Sequence, residues 1–312
     1  MHSDYHRAPF IVIWEVTRAC DLACAHCRAE AQDRPDPDEL DHAQGLALLD
    51  HIKAEFSDPV VVFTGGDPLK RPDLQDLIRH GTELGLRIAL TPSATPLLTE
   101  AAIRDLRKAG LIRLAVSIDG VDAATHDRFR GVPGTFARSV AALRQARSLG
   151  METQINSSIW RGNRDQLHGL ADLAVDLGVS LWSVFLLVPT GRADADLLMS
   201  AEEHEAVYQD LVTLVTAEQR PLAIKTTAGQ PFYRALAQHG LRRTGARSGS
   251  AAPTGAGMRS VKPVNDGNGF VFISHTGQVC PSGFLPLVCG NVRETPLARI
   301  YREHPQFLAL RD

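Results

Sequence analysis

Residues 10–16 read FIVIWEV, and residues 20–27, which follow after a short connection, read CDLACAHC. The first stretch is a near-continuous apolar run rich in β-branched residues, which is typical of a strand buried on both faces of a parallel sheet. The second stretch contains three of the five cysteines of the chain, Cys20, Cys24 and Cys27. Together they predict a parallel α/β fold in which a cysteine loop follows the first strand.

The spacing of these three cysteines indicates an inorganic centre, because short spacings let several thiolates converge on one site. A cubane cluster has four irons, so three protein ligands leave one iron open for a substrate or cofactor. Two alternatives stay open from the residues alone: zinc completed by His26 or another residue, and a redox pair with one spare thiol. Haem c attachment is excluded, because Arg28 follows Cys27 where histidine would be required.

Outward from this stretch, the alternation of buried strand and amphipathic helix gives six strand–helix units. Six such units in series indicate a parallel sheet with right-handed crossovers. We predict an α/β fold, a partial (β/α)6 TIM-like barrel, with a doubly wound open sheet as the structural alternative. The predicted strands are 10–16, 60–64, 86–90, 112–118, 152–158 and 181–188, and the predicted helices are 38–56, 73–83, 99–109, 135–149, 164–177 and 201–219.

Unusual polar sequences follow these strands at their carboxyl ends, where ligands bind in parallel α/β sheets. We expect the following segments, together with the cysteine loop, to surround one mouth: Gly65-Gly66-Asp67-Pro68, Thr91-Pro92-Ser93, Ser117-Ile118-Asp119-Gly120, Asn156-Ser157-Ser158 and Pro189-Thr190-Gly191-Arg192.

The CxxxCxxC motif after the first strand resembles the cluster motif of radical S-adenosylmethionine (SAM) enzymes. This resemblance implies that Cys20, Cys24 and Cys27 hold a [4Fe-4S] cluster whose unique iron binds SAM. It also implies reductive cleavage of SAM to a 5′-deoxyadenosyl radical that abstracts hydrogen from a substrate. His26 stands where the family usually has another aromatic residue, a departure associated with its tetrapyrrole-modifying and peptide-modifying branches.

Two further motifs resemble SAM-binding motifs of the same family. Residues 65–68 are similar to GGEP, which contacts the SAM amino group, with Asp67 in place of glutamate. Ser117 and Arg130 match positions of an SxDG and an HDxxRG-like stretch that hold the SAM carboxylate. The alternatives are turn punctuation for residues 65–68 and a strand end followed by a capped helix with a solvated basic face for the second motif.

Three further candidates complete the predicted SAM site. Ser93 would meet the ribose or the methionine end of SAM, with a proline-stabilised turn as the alternative. Asn156, with Ser158, is predicted to reach ribose hydroxyls. The resemblance implies that Leu187, with Val188, presents main chain to adenine.

Beyond residue 220 the strand–helix pattern stops, which predicts a core domain at 1–220 and a small α+β extension at 221–312. The extension would contain a flexible, polar loop at about 241–258. Its other predicted elements are a short strand at 221–227, a short helix at 232–238, a hairpin at 269–280 that turns at Thr276-Gly277, and a final helix at 297–310.

The hairpin and its downstream Gly-Asn element resemble the start of a SPASM or twitch domain. Cys280 and Cys289 are therefore candidate ligands of an auxiliary iron–sulfur cluster. Two cysteines cannot complete such a cluster from cysteine alone, and the chain ends at Asp312, where a cysteine-rich run is expected. The alternative is a pair of structural cysteines.

Composition narrows the class of protein and of partner. With 44% apolar and 22% charged residues in 312, the chain is typical of a globular domain. A net charge of −3 with dispersed Arg and Lys gives no basic face, so nucleic acid is not an expected partner. No long apolar run predicts a membrane span, and residues 1–9 lack a signal-peptide core. Clustered thiolates favour a reducing cytoplasm.

These features predict a radical SAM enzyme that receives electrons from a donor such as flavodoxin or ferredoxin. Residues 14–20 (WEVTRAC), His26 and residues 189–192 resemble both haem-precursor-modifying enzymes and ribosomal-peptide maturases, so the substrate is a tetrapyrrole or a peptide. The alternative class is a non-catalytic zinc or Fe–S electron-transfer or binding protein. The basic residues that could meet tetrapyrrole propionates are Arg161, Arg164, Arg192, Lys225 and Arg234.

Overall fold

A computed structural model of the chain describes residues 4–217, 221–241 and 264–312. Nearly all of the loop predicted at about 241–258 lies outside these ranges. The described residues form two compact units. The first unit takes in residues 4–21, 28–114 and 264–312, and the second takes in 22–27, 115–217 and 221–241. The division into domains at residue 220 stays a prediction.

The described residues contain alternating strands and helices. The strands are β1 (Ile11–Thr17), β2 (Val60–Gly65), β3 (Arg87–Leu90), β4 (Arg113–Ser117), β5 (Glu152–Ile159), β6 (Leu181–Leu186), β7 (Ala223–Thr227), β8 (Phe270–Ile273), β9 (Gln278–Cys280) and β10 (Gly290–Asn291). The helices are α1 (His42–Glu55), α2 (Leu74–Glu83), α3 (Glu100–Lys108), α4 (Ala123–Arg130), α5 (Thr135–Ser148), α6 (Leu167–Asp176), α7 (Ala201–Thr216), α8 (Pro231–Gln238), α9 (Leu297–Glu303) and α10 (Pro305–Ala309).

The first unit is built around β1. Its strand order is β10-β9-β8-β1-β2-β3, and the start of β4 pairs with β3. β1 is parallel to both β2 and β8, whereas β8 and β9 form the predicted antiparallel hairpin. Val12, Trp14 and Val16 are fully buried, and the Trp14 ring packs edge-on against Phe63 with centroids 5.3 Å apart. The apolar run at 10–16 is therefore an inner strand, as predicted.

The second unit contains the last three residues of β4, followed in the sheet by β5, β6 and β7. β5, β6 and β7 are parallel. Trp182 of β6 is fully buried and its indole Nε1 donates a hydrogen bond to the Ser157 hydroxyl at 2.9 Å. The apolar side chains of this sheet form its core, in which the Trp182 indole is paired while the buried hydroxyls of Ser183 and Thr226 have no hydrogen-bond partner among the described residues.

Two helical features differ from the sequence prediction. The predicted helix at 297–310 is interrupted, because His304 precedes Pro305 and adopts extended backbone with ψ 131°. α4 lies where a capped helix was predicted only as an alternative, because only one of its eight residues is a large apolar side chain. Its boundaries have clear chemical causes: the Asp122 side chain caps its first turn, and Gly131 ends it in the left-handed region. In the described ranges, no helix combines the length and the apolar character needed to cross a bilayer.

A buried tyrosine joins the last helices of the first unit to its first residues. The Tyr301 hydroxyl donates to the Tyr5 carbonyl oxygen at 2.6 Å and accepts from the Gly269 N–H at 3.1 Å. Tyr301 is fully buried, so both bonds are shielded from water.

We expect Tyr301→Phe to lower the free energy of unfolding by about 1–2 kcal/mol, because it leaves the buried Gly269 N–H without its partner, whereas the Tyr5 carbonyl oxygen still accepts from Arg311 at 3.2 Å. Urea denaturation followed by circular dichroism measures this change. Tyr233→Phe, at a side chain that is 38% exposed, is the control and should have little effect. Equal stability of the Tyr301→Phe variant and the wild type would contradict this account.

Candidate functional site

Cys24 and Cys27 lie in the second unit on a turn that is attached to α4. The Cys27 N–H donates to the Cys24 carbonyl oxygen at 3.3 Å, and the Ala25 N–H donates to the Phe129 carbonyl oxygen at 3.1 Å. Gly131 ends α4 with φ 73°, and a Cβ there would lie 2.7 Å from the Ala23 carbonyl oxygen. Glycine is required here both by its backbone conformation and by the close approach of the cysteine turn.

Arg130, the last residue of α4, lies between a carboxylate and a cysteine. Its Nε donates to Oδ2 of Asp119 at 2.6 Å, and its Nη1 lies 3.9 Å from Sγ of Cys24. Asp119 is fully buried. The structure therefore brings together Arg130 and Cys24, which were predicted to share a site. The prediction gave no role to Asp119, which binds the Arg130 guanidinium.

This arrangement sets the charge states of the three groups. Burial raises the pKa of Asp119, but the Arg130 guanidinium outweighs it and holds that pKa below its usual range. Burial disfavours the charge of Arg130, yet Asp119 and Cys24 raise its pKa further. For Cys24, burial raises the pKa of the thiol and Arg130 only partly opposes this. Without a metal, the Cys24 thiol is therefore biased towards its protonated form.

Asp119 is fixed by three other groups. Its Oδ1 accepts from the Ser158 N–H at 2.8 Å, and its own N–H donates to Nδ1 of His126 at 2.9 Å. The Asn163 amide donates to the Asp119 carbonyl oxygen at 2.8 Å. Burial lowers the pKa of His126 to about 4, so the imidazole is neutral and acts as the acceptor. The sequence features that indicated the Asp119–Arg130 pair were the Asp-Gly sequence at the end of β4 and an arginine eleven positions after Asp119.

His26 belongs to a stack of three rings. Its imidazole lies parallel to Phe129 with centroids 3.9 Å apart, and Phe129 lies parallel to Trp160 at 4.7 Å. Burial, followed by the charge of Arg130, lowers the pKa of His26 to about 3. Nδ1 of His26 and Nε1 of Trp160 are buried and have no hydrogen-bond partner among the described residues. The position before Cys27 therefore carries a neutral aromatic ring.

Cys20 lies in the first unit, where it contacts the predicted SAM-binding segments. Its Sγ lies 3.5 Å from the Ser93 hydroxyl, which donates to the Gly66 carbonyl oxygen at 2.7 Å. A Cβ on Gly66 would lie 2.4 Å from the Ala19 carbonyl oxygen. The glycine pair thus lets the end of β2 approach the main chain that leads into the cysteine loop. The structure brings Cys20, Gly66 and Ser93 together, as predicted.

Asp67 is engaged within the protein. Its Oδ2 accepts from the Thr95 hydroxyl at 2.6 Å, and its Oδ1 accepts from the N–H groups of Leu69 and Ser93 at 3.2 and 3.3 Å. The side chain is fully buried, and this burial raises its pKa in spite of those bonds. Asp67 therefore organises the loop around it. Of the predicted segment at 65–68, Pro68 is also buried and begins a 3-10 turn at Pro68–Lys70.

The other predicted SAM contacts lie in the second unit. The Ser117 carbonyl oxygen accepts from the Ser139 hydroxyl at 3.1 Å. Oδ1 of Asn156 accepts from the Gln154 amide at 2.7 Å. The Leu187 N–H donates to the Ile159 carbonyl oxygen at 3.0 Å, so a ligand would have to use its carbonyl oxygen. These roles stay predictions.

A second buried ion pair lies in the first unit and was not predicted. Oε2 of Glu15 accepts from the Arg28 guanidinium at 2.6 Å, and Oε1 lies 2.9 Å from Nδ1 of His275. The Arg28 guanidinium also lies over the Phe272 ring, 4.7 Å from its centroid. Burial raises the pKa of Glu15, but the bonds from His275 and Arg28 outweigh it and leave that pKa lowered. The only sequence feature that indicated this ion pair was a glutamate inside the apolar run at 10–16.

Cys280 and Cys289 lie near each other at the pairing of β9 with β10. The register pairs Gly290 with Val279, and the Cys289 N–H donates to the Val279 carbonyl oxygen at 2.8 Å. Both thiols are buried, and burial followed by the charge of Cys289 raises the pKa of Cys280 to about 11. All five cysteines lie in the described part of the chain, and none of them forms a disulfide.

The donor chemistry fits an iron–sulfur cluster. Thiolates are the preferred ligands of such clusters, and metal binding displaces the proton that burial favours on Cys24. Arg130 places positive charge beside that sulfur, which compensates the negative charge of a thiolate-bound cluster. Within the described ranges, no group of three His, Cys, Asp or Glu side chains is arranged to hold a single metal ion. The fit therefore rests on donor type and local charge.

Comparison with known proteins agrees with this chemistry. The family described as Radical SAM superfamily matches residues 14–174, more than half of the chain. An AdoMet-dependent heme synthase of Nitratidesulfovibrio vulgaris (strain Hildenborough) is 40% identical over 304 residues, which are 96% of this chain and 81% of that protein. The chain belongs to the radical SAM superfamily.

Two further similarities involve peptide-modifying proteins. Mycofactocin maturase MftC of Mycobacterium tuberculosis is 32% identical over 210 residues, which are 66% of this chain and 52% of that protein. The crystal structure of Streptococcus suis SuiB bound to S-adenosylmethionine has a TM-score of 0.75 at 18% identity, and the match covers 98% of this chain and 68% of SuiB. At that identity the likeness to SuiB concerns the fold alone.

These findings confirm four of the sequence predictions. The fold is the α/β class with parallel strands that radical SAM enzymes share, and the protein is an enzyme of that superfamily. Its cofactors are a [4Fe-4S] cluster and SAM. Radical SAM chemistry on a tetrapyrrole or a peptide is the function that the relatives support.

We expect Gly131→Ala to reduce the iron bound per chain after anaerobic reconstitution, because the new methyl group displaces the Ala23 carbonyl of the cysteine turn. Iron and sulfide analysis measures this. Gly150→Ala is the matched control: its φ is 69°, but a Cβ there meets no atom within 4 Å. Backbone strain should cost each variant about 1–2 kcal/mol. Equal iron content in the two variants would show that the close approach at Gly131 is unimportant.

We expect Glu15→Gln to cost about 1.5–3 kcal/mol of unfolding free energy, because the hydrogen bonds from Arg28 and His275 lose their charged acceptor. Since the pKa of Glu15 is lowered in the folded state, its contribution is present above about pH 4.3 and disappears as the pH falls further. The variant should therefore lose less stability on acidification than the wild type in urea denaturation at several pH values. Glu100→Gln, at an exposed pair with Arg104, is the control. Parallel pH profiles of wild type and Glu15→Gln would refute this role.

Proposed function

We propose that Cys20, Cys24 and Cys27 are the protein ligands of the [4Fe-4S] cluster. Their support is the CxxxCxxC spacing within the region matched by the superfamily, together with the guanidinium of Arg130 at 3.9 Å from Cys24 Sγ. Cys280 and Cys289 are proposed as ligands of an auxiliary cluster in a SPASM-like extension at 221–312, because their thiols are buried neighbours.

We propose that the substrate is a tetrapyrrole precursor of haem. One observation carries this choice: identity to an AdoMet-dependent heme synthase runs over 96% of the chain, whereas identity to the peptide maturase runs over 66%. The first match therefore extends into the C-terminal segment of the chain. The likeness to SuiB, at 18% identity, does not favour a peptide substrate.

The residues of the chain would divide the work as follows. Gly65 and Gly66 would offer main chain to the SAM amino group, and Ser117 and Arg130 would bind its carboxylate. Asp119 orients the Arg130 guanidinium, and Asp67 and Ser93 fix the loop beside Cys20. When bound and reduced, the cluster and SAM supply the radical chemistry that removes hydrogen from the substrate.

An electron donor and a cellular location are part of the same proposal. Cluster reduction needs an electron donor, and we propose a flavodoxin or a ferredoxin. We also propose a cytoplasmic location, because clustered thiols persist in a reducing compartment.

The proposal is tested with anaerobically reconstituted, reduced protein supplied with SAM and either iron coproporphyrin III or a peptide. We expect 5′-deoxyadenosine and a mass change of the porphyrin, both measured by liquid chromatography with mass spectrometry. Alanine variants of Cys20, Cys24 or Cys27 should reduce 5′-deoxyadenosine to background. Cys280→Ala is the control and should retain SAM cleavage. Conversion of the peptide but not of the porphyrin would overturn the tetrapyrrole assignment.

A further inference from the structure

Most of the basic residues predicted to meet substrate carboxylates already have partners within the protein. Arg164 pairs with Glu203 at 2.9 Å, and Arg161 lies 3.6 Å from the same carboxylate. Arg234 pairs with Glu205. Lys225 likewise has an interaction of its own. Each of these side chains therefore already has a partner within the protein, which makes it a weaker candidate for binding an anionic ligand.

Arg192 differs from these residues. Its side chain is exposed, and its guanidinium makes no ion pair or hydrogen bond with any residue in the described part of the chain. A guanidinium has five N–H donors in a fixed fork, which match the two oxygens of a carboxylate. Arg192 is therefore the one residue of the predicted set that keeps this fork available.

The main chain of Arg192 is attached to the cysteine turn. The Arg192 N–H donates to the Cys27 carbonyl oxygen at 3.0 Å. Gly191, with φ 58°, forms the turn that makes this bond, and the Ala193 N–H closes it on the Thr190 carbonyl oxygen at 3.2 Å. The backbone is thus fixed beside a predicted cluster ligand while the side chain extends outwards.

The surroundings of Arg192 suit a flat ligand that carries negative charge. Its main chain is hydrogen-bonded to Cys27, which directly follows His26 in the sequence. His26 is the first ring of the stack with Phe129 and Trp160. A cation near stacked aromatic rings matches a planar macrocycle with ionised carboxylate side chains.

We propose that Arg192 binds a side-chain carboxylate of the substrate and so selects a tetrapyrrole that carries free propionates. The inference rests on the function proposed above and adds the residue that distinguishes an ionised substrate from its ester. The turn at residues 189–192 holds the main chain of Arg192 at the cysteine loop, so the side chain that would meet this carboxylate is attached beside Cys27.

The test is a binding titration of anaerobically reconstituted protein with iron coproporphyrin III and with its methyl ester, followed by visible absorption. We expect the wild type to bind the acid more tightly than the ester. Arg192→Gln should weaken binding of the acid about tenfold, because a charge-assisted hydrogen bond is lost, and should leave the ester unchanged. Arg192→Lys should be intermediate. Arg164→Gln, at a residue already paired with Glu203, is the matched control and should bind both like the wild type.

The outcomes separate this inference from the function on which it rests. Equal affinity of wild type and Arg192→Gln for the acid would overturn the role of Arg192 while leaving the tetrapyrrole substrate in place. If Arg192→Gln and Arg164→Gln weakened binding of the acid equally, the acid would be attracted by positive charge in general. That result would also overturn the role of Arg192. If the wild type cleaves SAM but binds neither porphyrin, the tetrapyrrole function and the role of Arg192 both fall.

Discussion

A guanidinium buried between a carboxylate and a cysteine sulfur determines the electrostatics of the second unit's part of the site. Asp119 stabilises the charge of Arg130, and Asp119 is ionised in a buried position because Arg130 and the Ser158 N–H donate to it. Removing either partner would leave an uncompensated charge. The pair thus keeps positive charge beside Cys24, where a thiolate and its bound metal need it.

The first unit also contains a buried carboxylate whose charge is compensated by its neighbours. Glu15, within an inner strand, would be costly alone, but Arg28 and His275 satisfy both of its oxygens. Arg28 directly follows Cys27 in the sequence, and His275 lies in the C-terminal hairpin. The hairpin is therefore joined to the residue after the cysteine motif by buried polar bonds as well as by apolar packing against β1.

Local patterns were enough to predict most of the fold. The apolar run at 10–16 specified an inner strand, and the cysteine spacing pointed to the cluster that the superfamily carries. Partners far apart in sequence could not be predicted, because Glu15 and His275 are separated by 260 residues and nothing local relates them. The hydrogen bond from Thr95 to Asp67 could not be predicted either. A loop motif does not reveal whether its carboxylate faces a ligand or the protein. α4 was raised only as an alternative, because its short, charged sequence has no apolar stripe.

The central claim is that three cysteines hold a cluster with one iron open to SAM. Electron paramagnetic resonance of the reduced, reconstituted protein, recorded before and after addition of SAM, tests it most directly. The account predicts the signal of a [4Fe-4S]⁺ cluster whose g values shift when SAM is added, and loss of that signal when Cys24 is replaced by alanine. A cluster signal that SAM leaves unchanged, or a protein that binds zinc and shows no such signal, would contradict it.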